Sequence, residues 1–437
     1  MDESPPEKRP RRMSRRWVVP PGLLSNDEPF PGFRVLDEIR TGLGVTLWQF
    51  LRDADLWSST EPEGRKRLFA HRAGRRRRDR LVGLEPGVPP RRPLESLCRA
   101  LDARSSSRHS GAQVMRACQV LSRWAGEQGM PHTALAFAQS GALATPERAA
   151  PAYQVGLLSR RNAEYRRAET WFRRTLGLAR RGEDWRYYGL ACIGLGNLYV
   201  QRGDYPAARM WFARALRTSR RKGLWDVRPM AMHDLFCVAA KGGQSEDANE
   251  WAQRAFRAYG AQHPRLVALA HDVARYWLLQ ERYADALRVF RAVLPHLDRV
   301  PEQRVVTANM ARAAAAMGDR LEFAALWHET WRLVDEHDDS EEVAFALVTL
   351  AEGAAMLGDP DRGQLAAVHA LKVANQRNEA EHRLVAERVL ESLRTVRVGV
   401  VGVKPQPRAE EIPDAGPDFA ADLIAALSGD FVAGPPE

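Results

Sequence analysis

Residues 196–216 read GNLYVQRGDYPAARMWFARAL, and the order of small and large side chains in this stretch decides the fold. Leu195, Leu198 and Tyr199 make an apolar stripe at helical spacing. Gly203-Asp204 breaks that helix, because glycine accepts the turn dihedrals. Pro206 falls in the first turn of a second helix, where its missing N–H costs little. Ala207, Ala208, Trp211, Phe212 and Ala215 then supply that helix with a buried face. Gly196 and Ala208 are small where the two helices pass closest, and Tyr199 and Phe212 fill the wedge around that contact. A pair built this way keeps one apolar side uncovered, which only a neighbouring pair can cover.

The pattern recurs. Forty residues earlier, GLLSRRNAEYRRAETWFRRTL (156–176) matches it at Gly156, Tyr165, Ala168 and Trp171-Phe172; forty residues later, FCVAAKGGQSEDANEWAQRAF (236–256) supplies Gly243, Ala248, Trp251 and Ala255. Weaker copies lie at 122–146, 274–294, 311–331 and 351–371, which makes seven copies spaced 34 to 40 residues apart. This arrangement resembles the tetratricopeptide repeat over residues 113–395, with LGNLYVQRGDYPAARMWFARAL the closest match. The resemblance implies an all-α fold: antiparallel helix pairs stacked into a superhelical solenoid with a concave groove and flexible termini.

Four regions are expected. Residues 1–29 are rich in Pro, Arg and acid and read as a disordered basic start. Residues 30–110 read as a basic helical region, with helical periodicity over 33–57, a break at Gly42 or Gly44, a proline-bearing linker at 84–93 and a helix from Leu94. The solenoid fills 113–395; VRVGVVGV (396–403) reads as extended, and 404–437 as an acidic linker and tail. Within the tail, Phe419, Leu423 and Leu427 fall at helical spacing. That helix reads either as a docking peptide on a leash or as a cap on the solenoid's end.

The chain of 437 residues carries a formal charge of +10, nearly all of its cations being arginine. Residues 1–110 hold 23 Lys/Arg against 15 Asp/Glu, whereas the tail from Val403 holds 2 against 7. A basic front invites nucleic acid, with Arg75, Arg76, Arg77 and Arg78 as the candidate contacts. LDEIRTGLGVTLWQFLRDADL is similar to the first helices of the DNA-binding domain that precedes repeats in peptide-sensing bacterial regulators. The second helix and glycine turn of such a domain are missing, since FLRDADLW continues helically.

No apolar run reaches the about 18–20 residues that span a bilayer, so no membrane partner is expected. SRRWVVPPGLL imitates an export signal, but its apolar part carries Pro20 and Pro21 and ends at Asn26 and Asp27, so a cytoplasmic chain is expected. Cys98, Cys118, Cys192 and Cys237 lie far apart without a CxxC pair and read as buried thiols rather than metal ligands. Neither metal nor cofactor is expected. HExxH, P-loop and GxSxG patterns are absent, and GLGN (194–197) lies inside a helix rather than after a strand, so no enzyme is expected.

Recognition remains. The resemblance implies a groove lined by first-helix residues, which in the register of the closest copy include Tyr153, Leu157, Arg160, Ile193, Asn197, Val200, His233, Lys241, His271, Arg275 and Arg312. An asparagine placed like Asn197 holds the ligand backbone in peptide-binding members of the family, and its side-chain amide satisfies both a peptide donor and an acceptor. The alternative for Asn197 is an ordinary surface residue. The cations in this set point to an acidic protein or peptide, and the chain's own acidic tail is a candidate occupant that competes with it. Trp171, Trp211 and Trp251 are each followed three residues later by Arg174, Arg214 and Arg254. Such pairs either seal a seam through cation–π contact or stack on exposed bases. The reading is a non-catalytic adaptor or regulator, with a nucleic-acid-associated regulator as the alternative.

Overall fold

The computed structural model describes residues 34–69, 71–85, 87–102, 108–261, 263–335, 342–376, 379–397 and 418–429. The expectations of a disordered start at 1–29 and a linker at 404–417 lie outside the described residues, as does most of the expected extended segment. Every regular element among the described residues is helical. No described helix is long and apolar enough to cross a membrane.

Five helices come first: α1 (Arg34–Glu38), α2 (Gly42–Ser59), α3 (Pro62–Leu68), α4 (His71–Val82) and α5 (Arg91–Asp102). Seven successive pairs follow: α6 (Arg108–Glu127) with α7 (Pro131–Ala144), α8 (Ala149–Arg161) with α9 (Tyr165–Arg181), α10 (Trp185–Gln201) with α11 (Tyr205–Lys222), α12 (Val227–Lys241) with α13 (Ser245–Tyr259), α14 (Leu266–Leu279) with α15 (Tyr283–Val293), α16 (Val300–Ala316) with α17 (Arg320–Asp335), and α18 (Val343–Met356) with α19 (Pro360–Gln376). Then come α20 (Ala380–Arg397) and α21 (Phe419–Ser428). Val396 and Arg397 belong to the last turn of α20 rather than opening an extended segment. The chain divides into two compact units, one up to Ala231 and one from Met232.

The repeat is written into the turns. Each pair turns on one residue in the left-handed region: Gly129, Ala163, Gly203, Gly243, Glu281, Gly318 and Gly358, with φ between 59° and 78°. The following residue donates its backbone N–H to the carbonyl five positions back at 2.9–3.0 Å, as Asp204 does to Tyr199. This closes the first helix and aims the chain into the second. In the Gly-Asp turns the aspartate also caps the second helix: Asp204 accepts from the Ala207 N–H at 3.0 Å, and Asp319 from that of Glu322 at 2.9 Å.

Packing within the first unit follows the small-and-large pattern. Phe172 and Phe212 are fully buried, as are Ala208 and Ala215. The Phe212 ring fills the space that a side chain at Gly196 would need, and the Phe172 ring does the same at Gly156 and Gly194. α10 therefore takes one phenylalanine from its own partner and one from the preceding pair. This is the physical meaning of GLGN, whose glycines are contact points between helices.

α1–α5 are not a separate body. Val35, Leu47, Phe50, Leu51, Trp57, Leu94 and Leu97 share one core with Val114, Leu121 and Phe137 of the first pair. Glu38 caps α7: its carboxylate accepts the backbone N–H groups of His132 and Thr133, both at 2.8 Å.

Candidate binding faces

In the first unit the first helices α8 and α10 present adjoining side chains. The rings of Tyr153 and Tyr187 stand 5.8 Å apart, and Tyr153 also touches Phe172 at 5.9 Å. Leu157, Arg160, Asn197 and Val200 are half-buried along the same helices. Ile193 is not part of this face. It is only 4% exposed, because α10 is packed on by α8, α9 and α11 and an unbroken run from Tyr188 to Gly196 is buried.

In the second unit His233 of α12 and His271 of α14 both reach Asp272. His233 Nε2 lies 3.1 Å from Asp272 Oδ2, and His271 Nδ1 lies 3.1 Å from Oδ1. Burial alone pushes the pKa of this carboxyl up, but the two histidines outweigh it through hydrogen bonds and charge, holding Asp272 well below the usual carboxylate range. The Tyr259 hydroxyl lies 3.5 Å from His233 Nδ1. Sequence reasoning found both histidines and missed Asp272, which sits 39 residues after His233, about one repeat on. Lys241 and Arg275 are exposed, the latter over the Phe345 ring at 5.5 Å. Arg312 is paired with Glu352 at 2.9 Å.

The four-arginine run divides. Arg75, Arg76 and Arg78 are exposed on α4. Arg77 is only 2% exposed and bonded to Asp102 through Nε at 3.0 Å, with Asp53 at 3.5 Å and the Phe69 ring at 5.0 Å. It is a core clamp rather than a nucleic-acid contact, because the carboxylates of α2 and α5 close over its turn of α4.

Residues 147–221 match a family model described as the tetratricopeptide repeat. These residues carry tetratricopeptide repeats. No curated protein matches it. Among solved structures, BtubC (BKLC) from P. vanneervenii is 17% identical with a TM-score of 0.40, covering 54% of this chain and 94% of its own. The Cut9-Hcn1 APC/C hetero-tetramer is 13% identical with a TM-score of 0.43, covering 81% and 74%. The Rap conjugation gene regulator of plasmid pLS20, in complex with the Phr* peptide, is 12% identical with a TM-score of 0.37, covering 82% and 99%.

The tryptophan ladder of the tetratricopeptide array is a packing device. Arg174, Arg214 and Arg254 lie over Trp171, Trp211 and Trp251 at 5.9, 5.4 and 5.1 Å. Trp171 is fully buried and Trp211 is 7% exposed. Trp185 and Trp225, also 40 residues apart, differ in their surroundings: Trp185 packs on Tyr188 at 5.7 Å under Lys222, whereas Trp225 is 78% exposed. Trp185 and Tyr188 line a cavity of about 540 Å³ with Thr218, Arg180, Arg214, Arg217, Arg220 and Arg221, and no carboxylate is among its lining residues.

The tail helix α21 packs on the second unit through Phe419, which meets Phe256 of α13 at 5.5 Å and Trp277 of α14 at 5.9 Å. Asp418 adds an ion pair with Arg288 of α15 at 3.4 Å. Phe256 and Arg288 belong to second helices, and none of the three anchors is a groove candidate. The expectation that the tail lies in the groove gives way to a site on α13–α15, because the rings of Phe256 and Trp277 and the cation of Arg288 receive Phe419 and Asp418 there.

Proposed function

We propose that the chain is a non-catalytic, cytoplasmic adaptor or regulator that binds an acidic protein or peptide along the first-helix face of its tetratricopeptide array. The observation that carries this reading is the side-chain content of that face. Tyr153, Tyr187 and Asn197 offer rigid ring surface and an amide in one unit, and Lys241 and Arg275 offer exposed cations in the other. Aromatic side chains supply contact area at little cost in entropy, and unpaired rim cations select and steer an acidic partner. A panel of short peptides of graded acid content, followed by fluorescence anisotropy, tests it. Acidic members bind in a salt-sensitive manner, and Lys241→Glu with Arg275→Glu weakens them about tenfold. Affinity independent of acid content, or unaltered by that double substitution, overturns the reading.

The cavity around Trp185 and Tyr188 favours a second reading, a nucleic-acid-associated regulator. Guanidinium groups and aromatic rings together suit phosphates and exposed bases. Gel shift with single-stranded and duplex nucleic acid over a salt series separates the two. Binding that falls steeply with salt and is lost on Arg217→Glu with Arg221→Glu supports it.

A further inference from the structure

His233 and Cys237 stand one helical turn apart on α12, so their side chains share a face. Asp272 reaches that face from α14, the first helix of the next pair. Two unlike donors converge on one of its oxygens: His233 Nε2 lies 3.1 Å and Cys237 Sγ 3.8 Å from Asp272 Oδ2. The three potential ligand atoms all lie within 4.8 Å of one another. His233 is 8% exposed, and Cys237 and Asp272 are half-buried, so the cluster stands at the edge of the core with a way in for an ion.

We infer that His233, Cys237 and Asp272 form a binding site for a zinc ion in the second unit. In a tetrahedral zinc site with bonds of about 2.0–2.3 Å, ligand atoms stand roughly 3.3–3.7 Å apart. Two edges of the triangle already lie near that range, and closing the third takes at most about 1.5 Å of side-chain movement. One nitrogen, one sulfur and one oxygen donor suit a borderline-soft ion; a thiolate disfavours magnesium and calcium. Three protein donors leave a fourth position for water.

The surrounding groups fit the same role. The Tyr259 hydroxyl stands 3.5 Å from His233 Nδ1, placed to accept an Nδ1 proton once the ion takes the Nε2 lone pair. His271 holds the other oxygen of Asp272 and fixes the carboxylate's orientation. Zinc displaces the Cys237 thiol proton to solvent, and the single imidazole proton sits on Nδ1, on the side of Tyr259.

The test uses the full-length, tag-free chain stripped with a chelator. Calorimetry with zinc chloride gives saturable uptake of one ion per chain. Cobalt(II) gives a thiolate-to-metal charge-transfer band in the near ultraviolet. Cys237→Ser, a near-isosteric change, abolishes the band while circular dichroism stays that of the parent. Asp272→Asn weakens zinc about 100-fold, and Tyr259→Phe about tenfold. Absence of saturable zinc uptake by the parent chain overturns the assignment. So does a charge-transfer band that survives Cys237→Ser, which would place the ion on Cys98, Cys118 or Cys192.

Discussion

A β-carbon at position 196 would lie 2.3 Å from Cε1 of Phe212, inside any real contact distance. The phenylalanine ring and the bare glycine backbone thus define each other's places, and neither helix moves without the other. Gly196→Ala is expected to cost about 1–3 kcal/mol and Gly196→Leu at least as much, since the ring has no open side to move into. Chemical denaturation followed by far-ultraviolet circular dichroism reads the loss. Gly196→Ala combined with Phe212→Leu recovers part of it if the clash is the cause. A double variant no more stable than Gly196→Ala would assign the loss elsewhere.

Two of the seven pair turns place a residue with a β-carbon in the left-handed region: Ala163 at φ 59° and Glu281 at φ 61°. That conformation costs an L-residue about 1–2 kcal/mol, against about 0.5–1 kcal/mol of chain entropy that glycine brings to the unfolded state. Ala163→Gly and Glu281→Gly are therefore expected to stabilise the chain by about 0.5–1 kcal/mol each, additively because they lie in different pairs. A lower denaturation midpoint for either variant would show that the turn carries no strain.

Asp55 of α2 accepts a hydrogen bond from Ser140 of α7, while Arg167 lies near enough to favour its charged form. Burial outweighs both and pushes its carboxyl up to about 7 from an ordinary 3.8. Between those values the folded chain keeps a proton that the unfolded chain has released, so stability falls as pH rises through this window. The full penalty is present above 7. Asp55→Asn keeps an acceptor for Ser140 and carries no charge. It is expected to flatten that slope and to raise stability at pH 8 by about 1–3 kcal/mol, less than the whole shift because the residue is partly exposed. Thermal melts at pH 5 and pH 8 decide it; an unaltered pH dependence would place the titration on another group.

The phase of the repeat was legible because its cause is local. A left-handed residue and an N-capping carboxylate are written together as Gly-Asp in the turns before Asp204 and Asp319, and the bulk of Phe212 answers the absence of bulk at Gly196. Exposure was not legible where a third element decides it. Ile193 and Arg77 fit a surface register on their own helices, and only the helices packed around them show that one is core and the other a clamp. The His233–Cys237 spacing is visible as one helix face, yet Asp272 joins it only through the stacking of consecutive first helices. The groove register named His271, one position short of the residue that closes the cluster.

Phe419 meets Phe256 and Trp277 in T-shaped contacts, with interplanar angles of 74° and 87°. Beneath it Leu423 is fully buried, and Leu427 is 8% exposed. Asp418 caps the helix by accepting the Ala421 N–H at 3.1 Å and pairs with Arg288, and Gly429 ends it in the left-handed region. A helix of 10 residues is not stable by itself, so α21 stays folded only while it stays docked. Removing the ring takes away about 3–5 kcal/mol of packing, more than so short a contact can lose. Phe419→Ala is therefore expected to abolish hydrogen-exchange protection in 419–428 while α13, α14 and α15 keep theirs. Arg288→Glu, which sets like charge against Asp418, is expected to reduce protection in the same segment by a smaller factor. Protection of 419–428 that survives Phe419→Ala would mean that Leu423 and Leu427 hold the tail without its aromatic anchor.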